Sequence, residues 1–353
     1  MKRIIICGNE NQVYEIKQRL NTQNSSVISF DLSKECFSKD ISKSETLFIA
    51  ADDFQKDLIL TLLSVTECDI KLINFSCFKR TSFENPIKNI NNDVHYTGLI
   101  VGMSHSQCAI RTELLKDNVY CNCAAPSMDI FCHFHYLKKI SEIYPEKLKN
   151  MRHIIIELPY YIFNYDLSRF GNFVYSKLNY FELVGDYHNF GKTEAQKNII
   201  NEFRLFKEYF RPEKIVSKCS SKKNVIRNMA KSVLNKYRIA VNKDKVWRVI
   251  YQETVEENRK LWGDILALLE KNCPNARVTV LVMPFNPLFR LFHKKEISQM
   301  KKIFKASLGT GRFEVVDHFS CINSDYYFDD HCHLNEIGAS KYTFFLQEEL
   351  ANE

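Results

Sequence analysis

Tyr96-Thr97-Gly98-Leu99-Ile100-Val101-Gly102-Met103-Ser104-His105 reads as a strand, a turn and the start of a helix. Residues 96–101 form an apolar run, which predicts a buried strand, and Gly102 interrupts it before a segment that can wind into a helix. A serine at such a strand-to-helix turn has an exposed hydroxyl and a free backbone N–H. Far downstream, Asp330-His331-Cys332-His333 puts a carboxylate three residues before a histidine. Asn335 can cap the helix that follows it. A serine, a base and an orienting acid are therefore all available, the set that covalent acyl transfer uses.

From residue 96 onward, strand signals at residues 96–101, 119–123, 152–157, 277–283 and 312–316 alternate with helical segments. That alternation predicts a doubly wound parallel sheet. The interval 171–275 is too long for one crossover and rich in helical, charged sequence, so it is expected to be a helical insertion forming a lid or wall over the site. Before residue 90, strand signals at 3–7, 26–30, 46–50 and 70–75 flank helical stretches at 12–20 and 53–65, which is βαβ punctuation for a small parallel sheet. A polar, turn-rich stretch at 79–93 reads as a linker. The expected organisation is a small Rossmann-like βαβ domain at 1–92 and a second domain at 93–353. The opening turn Gly8-Asn9-Glu10-Asn11 has one glycine where a dinucleotide fingerprint needs three, so a structural or partner-docking domain is the better reading.

In an open parallel sheet, ligands bind beyond the carboxyl ends of the strands. Ser104 follows the first strand of the second domain, and Asp330 and His333 follow its last, so all three can meet at one rim. In this reading His333 takes the Ser104 proton and Asp330 holds the imidazole tautomer. Asp329 and His331 are adjacent alternatives, and the Asp329–His333 run can also be drawn as a metal cluster. His105 is a substrate-contact candidate or a structural histidine, and Ser106 is a weaker second nucleophile inside the helix.

These motifs, in this order, resemble the first and last sequence blocks of the SGNH (GDSL-like) hydrolase superfamily. The resemblance covers residues 92–353. An uncharacterised bacterial subgroup linked to surface-glycan biosynthesis is echoed by Gly102-Met103-Ser104-His105-Ser106, by Leu158-Pro159-Tyr160-Tyr161-Ile162-Phe163-Asn164-Tyr165-Asp166 and by Val282-Met283-Pro284-Phe285-Asn286-Pro287. The resemblance implies an SGNH-type, flavodoxin-like fold and a cofactor-free serine esterase or O-acyltransferase, with an acylated carbohydrate as substrate in bacterial surface-polysaccharide assembly. It also implies oxyanion donors from a glycine after the second strand and a Gly-x-Asn asparagine after the third. Here those places read Asn122-Cys123-Ala124-Ala125-Pro126-Ser127 and Glu157-Leu158-Pro159-Tyr160-Tyr161. The Ser104 N–H remains, and the Ser127 N–H or the Asn164 amide is the candidate replacement. The same departure supports a second expectation, a catalytically silent protein that keeps the fold to bind a glycan or partner.

The chain has 353 residues, 45% of them hydrophobic, enough for two cores. Its apolar N-terminal run is shorter than a signal-peptide core, and no run approaches the ~20 residues of a membrane helix. A cytoplasmic protein is expected. The twelve cysteines are scattered and read as buried thiols. Cys121-x-Cys123 with Cys132-His133-Phe134-His135 makes a poor zinc pattern, and no metal is expected. Of the net charge of +7, residues 211–248 carry twelve lysines and arginines against Glu213 and Asp244, an excess of +10. Lys222, Lys223 and Arg227 in that segment are candidates for attracting an anionic glycan or membrane surface, against the alternative of a solvated helix face. Nucleic acid is not expected, since no binding module is present.

Overall fold

The computed structural model describes residues 2–21, 25–30, 46–63, 71–79, 85–210 and 245–351. Lys222, Lys223 and Arg227 lie outside the described residues. Among the described residues the chain is an α/β protein with two sheets, both entirely parallel, in two units. Met1–Glu84 and Ser168–Val216 make the first unit, and Asn85–Leu167 and Ser217–Glu353 the second. No described helix is long and apolar enough to cross a membrane.

In the first unit β1 (Lys2–Cys7), β2 (Ser25–Phe30), β3 (Thr46–Ala50) and β4 (Lys71–Asn74) lie in the order β2-β1-β3-β4. Ile4, Ile5, Ile6 and Cys7 are all buried, as an uninterrupted apolar run in a strand covered on both faces should be. The turn after β1 is self-capped: Asn9 Oδ1 accepts the Gln12 N–H at 3.1 Å, and Gln12 Oε1 accepts the Asn9 N–H at 2.9 Å.

The helix Glu194–Tyr209 corrects the expected insertion at 171–275. Its apolar face, Ile200, Phe203, Phe206 and Tyr209, repeats every three or four residues and packs beside β4. The Phe78 ring lies 5.7 Å from Phe203 and 5.5 Å from Phe206, and Lys56 Nζ meets Glu202 at 2.9 Å. Residues 168–216 therefore complete the first unit. The expected boundary at residue 92 also moves, to 84, because Pro86–Ile90 is a short 3₁₀ helix that buries Ile87 and Ile90 in the second unit.

In the second unit β5 (Gly98–Val101), β6 (Tyr120–Asn122), β7 (His153–Glu157), β8 (Arg277–Val282) and β9 (Glu314–Asp317) lie in the order β6-β5-β7-β8-β9. The chain moves outward from β5 to β6 and then reverses to β7, so the topological switch point lies between β5 and β7. Helix Gln252–Asn272, also expected in the insertion, is part of the crossover from β7 to β8. It buries Val255, Trp262, Ile265 and Leu269, and Trp262 Nε1 donates to the Leu308 carbonyl at 3.0 Å. The last helix, Glu336–Ala351, packs on Ser104–Ala109, with the Arg111 N–H donating to Thr343 Oγ1 at 3.0 Å.

Burial holds several imidazoles of this unit neutral, His133 and His153 among them. Burial pushes His133 and His153 down to about 4, and His153 sits between Tyr120 and Thr279 Oγ1, the latter at 2.8 Å. A histidine depressed in the folded state stabilises the fold fully above its unfolded value near 6.5, and that contribution is lost as pH falls towards 4. The melting temperature should therefore fall by at least ~4 °C between pH 6.5 and pH 4. A His153→Gln variant should show a shallower slope over that window, and an unchanged slope would contradict the assignment.

Candidate active site

Ser104 opens the helix Ser104–Ala109, whose N-cap residue, Met103, offers no side-chain cap. The cap comes from across the switch point. Glu157, the last residue of β7 and fully buried, accepts hydrogen bonds from the Met103 N–H at 2.7 Å, the Ser106 N–H at 3.3 Å and the Ser106 hydroxyl at 2.8 Å. Its other oxygen lies 2.6 Å from His105 Nδ1. Burial alone would raise the Glu157 carboxyl, but the His105 charge and these hydrogen bonds together carry it below the ordinary value. Gly102 makes the approach feasible: a Cβ there would lie 2.3 Å from Ser106 Oγ and 2.7 Å from Glu157 Cβ.

The loop before the last helix supplies the partners. Asp330 Oδ1 accepts the N–H groups of Cys332 at 2.9 Å and His333 at 2.8 Å, folding the acid back over its own turn. That leaves Asp330 Oδ2 at 2.7 Å from His333 Nδ1, while His333 Nε2 lies 2.7 Å from Ser104 Oγ. The loop is anchored downstream by Asn335, which accepts the Gly338 N–H at 2.9 Å, and upstream by the Asp329 N–H, which donates to the His333 carbonyl at 2.9 Å. A Cβ at Gly338 would sit 2.2 Å from the Tyr327 carbonyl oxygen. Ser104, His333 and Asp330, 229 residues apart in sequence at the widest contact, thus form one hydrogen-bonded chain.

The charges are consistent with this chain. Burial opposes ionisation of Asp330, yet the hydrogen bond and charge of His333, with the His331 charge and the Cys332 N–H, hold its carboxyl well below the usual carboxylate range. Burial likewise opposes protonation of His333. The hydrogen bond and charge of Asp330, then the charges of Glu157 and Asp329, outweigh it and raise His333 above its ordinary value.

The other sequence candidates lie differently. His331 packs its ring 5.3 Å from Phe289, is pushed by burial down to about 4, and makes no described hydrogen bond to Ser104. Ser106 is buried and bonded to Glu157, so its hydroxyl is not presented for attack. His105 is buried, with its ring centre 5.3 Å from that of His333. Asn164 needs correction as an oxyanion donor. Its amide donates to the Val246 and Val249 carbonyls at 2.9 and 2.6 Å, and its oxygen accepts the Tyr251 N–H at 2.7 Å, so both of its N–H donors hold a neighbouring segment. Ser127 lies on the loop after β6, which the Ala125 N–H ties to the Gly102 carbonyl at 3.1 Å. It has a positive φ of 66° and its carbonyl accepts the Tyr165 hydroxyl at 3.1 Å, but it has no described contact with Ser104 or His333.

Two groups of side chains here are compact enough to share an ion, His105 with Cys332 and His333, and Asp330 with His331 and Cys332, each with ligand atoms within 4.8 Å. Both ring nitrogens of His333 already serve the hydrogen-bonded chain, so an ion on the first group would have to break it, while Asp330 Oδ1 in the second group already accepts the Cys332 and His333 N–H groups of its own loop. Among the described residues, no such group joins Cys121 and Cys123 to Cys132, His133 or His135. Glu157 is the site residue that sequence reasoning passed over; a lone acid closing the apolar strand His153-Ile154-Ile155-Ile156-Glu157 was its one signal.

The Gly102 contact makes a direct prediction. Gly102→Ala should cost about 1–3 kcal/mol in urea denaturation, since the added carbon meets the Glu157 backbone-proximal carbon rather than a flexible tip. A variant as stable as the native chain would contradict the close approach. Comparison with protein-family models and with curated proteins returns no match for this chain.

Proposed function

We propose that this chain is a serine esterase or O-acyltransferase working through an acyl-enzyme on Ser104, with an acylated carbohydrate of a bacterial surface polysaccharide as substrate. The observation that carries the chemistry is the run of 2.7 Å contacts from Ser104 Oγ through His333 to Asp330. The five-strand order, which numbered within the unit is 2-1-3-4-5, is the flavodoxin-like order expected of an SGNH-type domain and supports the same reading. The carbohydrate and the polysaccharide setting rest on the resemblance of the sequence motifs alone. On this reading the protein works in the cytoplasm.

His333 Nε2 takes the hydroxyl proton as Ser104 Oγ attacks the ester carbonyl, and the resulting oxyanion is met by the Ser104 N–H. Collapse expels the alcohol, which receives the proton from His333, and leaves the acyl group on Ser104. Water or a sugar hydroxyl then gives its proton to His333 and attacks the acyl-enzyme; His333 returns the proton to Ser104. Asp330 keeps Nδ1 protonated so that Nε2 faces the serine. Water as acceptor makes the chain an esterase, and a sugar hydroxyl makes it a transferase.

The commitment of Asn164 to the Val246–Tyr251 segment favours a second reading, a silent glycan- or partner-binding protein. Turnover of p-nitrophenyl acetate separates the two. Ser104→Ala should lower it by on the order of 10⁴–10⁶-fold with little change in melting temperature. Chelator should leave it intact, and loss restored by zinc would instead make Asp330, His331 and Cys332 ligands. Native chain without turnover would favour the silent reading.

The raised His333 sets the pH dependence. The base must be neutral, so kcat/KM should fall as pH drops through a value above 6.5. An acid limb at or below 6.5 would contradict the influence of Asp330 on His333.

A further inference from the structure

We infer that Glu157 is a positioning residue for acyl transfer, setting both the aim of Ser104 and the field at His333. The inference rests on the acyl-transfer reading and extends it to a residue outside the serine, histidine and acid. A carboxylate with no solvent exposure is a costly way to fill a core, and a neutral side chain of the same shape would serve packing better. Every hydrogen bond described for the Glu157 side chain goes to Met103, His105 or Ser106, the residues that flank Ser104 on both sides. One oxygen holds the turn and the helix start. The other holds His105, whose ring stands beside that of His333.

Fixing Met103 and Ser106 to one rigid strand end fixes the direction in which Ser104 projects. An error of about 1 Å in such an alignment costs roughly 10²-fold in rate. The charge acts separately. The titratable groups around His333 are Asp330, Asp329, His331 and Cys332 on its own loop, His105 on the facing helix and Glu157 on β7, whose charge buried His133 also feels. Glu157 is the negative charge in this set that belongs to neither the loop nor the helix, and it favours the protonated form of His333.

The test compares native chain, Glu157→Gln and Glu157→Asp in p-nitrophenyl acetate turnover across pH. Glu157→Gln should lower kcat by roughly 10²-fold with KM within about twofold, and should move the acid limb of kcat/KM to lower pH, because the charge favouring protonated His333 is gone. Glu157→Asp, which keeps the charge but shortens the reach, should lower kcat while leaving the acid limb in place. A structural role alone would not separate these two effects. If Glu157→Gln does not fold, Ser106→Ala carries the test. It deletes the 2.8 Å hydroxyl contact and should lower kcat roughly fivefold at unchanged KM. Native kcat and a native acid limb in a folded Glu157→Gln, or native kcat in Ser106→Ala if that variant has to stand in, would overturn the role of Glu157. A native chain that turns over no ester contradicts the acyl-transfer reading itself, which distinguishes the two failures.

Discussion

The contact between Gly102 and Glu157 is the constraint around which the second unit's site is arranged. Strands β5 and β7 pair in register through Val101↔Ile156, so the residues that follow this pair, Gly102 after β5 and Glu157 at the end of β7, are neighbours at the switch point. A side chain at 102 would fill the space that the Glu157 carboxylate occupies. With that space open, the carboxylate reaches the unpaired N–H groups at the start of Ser104–Ala109 and substitutes for the missing side-chain cap. The turn that carries Ser104 is thus shaped by the neighbouring strand.

Asp330 and His333 are positioned by a different device. Asp330 accepts two backbone N–H groups of its own loop before it meets His333, so its position does not depend on a bound substrate. Asn335 and Gly338 then fix where the loop joins the last helix, and that helix packs on the one carrying Ser104. The two halves of the hydrogen-bonded chain are consequently tied together by helix packing as well as by the Ser104–His333 contact.

Much of this was legible in the sequence because it is local. Runs such as Ile4-Ile5-Ile6-Cys7 and His153-Ile154-Ile155-Ile156 mark strands buried on both faces, and they fall in β1 and β7. Ser104, His333 and Asp330 were visible as motifs because each sits at a strand end or a helix mouth, where sequence punctuation is strongest. What escaped notice depends on distant pairing. The helix Glu194–Tyr209 shows an apolar stripe, yet nothing in the stripe says that it covers β4 rather than the second sheet. Asn164 looked available because the carbonyls of Val246 and Val249 that use its amide lie more than eighty residues away. Glu157 reads as an ordinary strand terminus until β5 is laid beside β7.

The most direct test of the central claim is to trap the nucleophile. Native chain treated with a fluorophosphonate should gain the mass of one phosphonyl group, and peptide mapping should place it on Ser104. Labelling should slow sharply in His333→Ala, because the serine then has no base to take its proton. No adduct, or an adduct on another residue with Ser104 unmodified, would contradict the account.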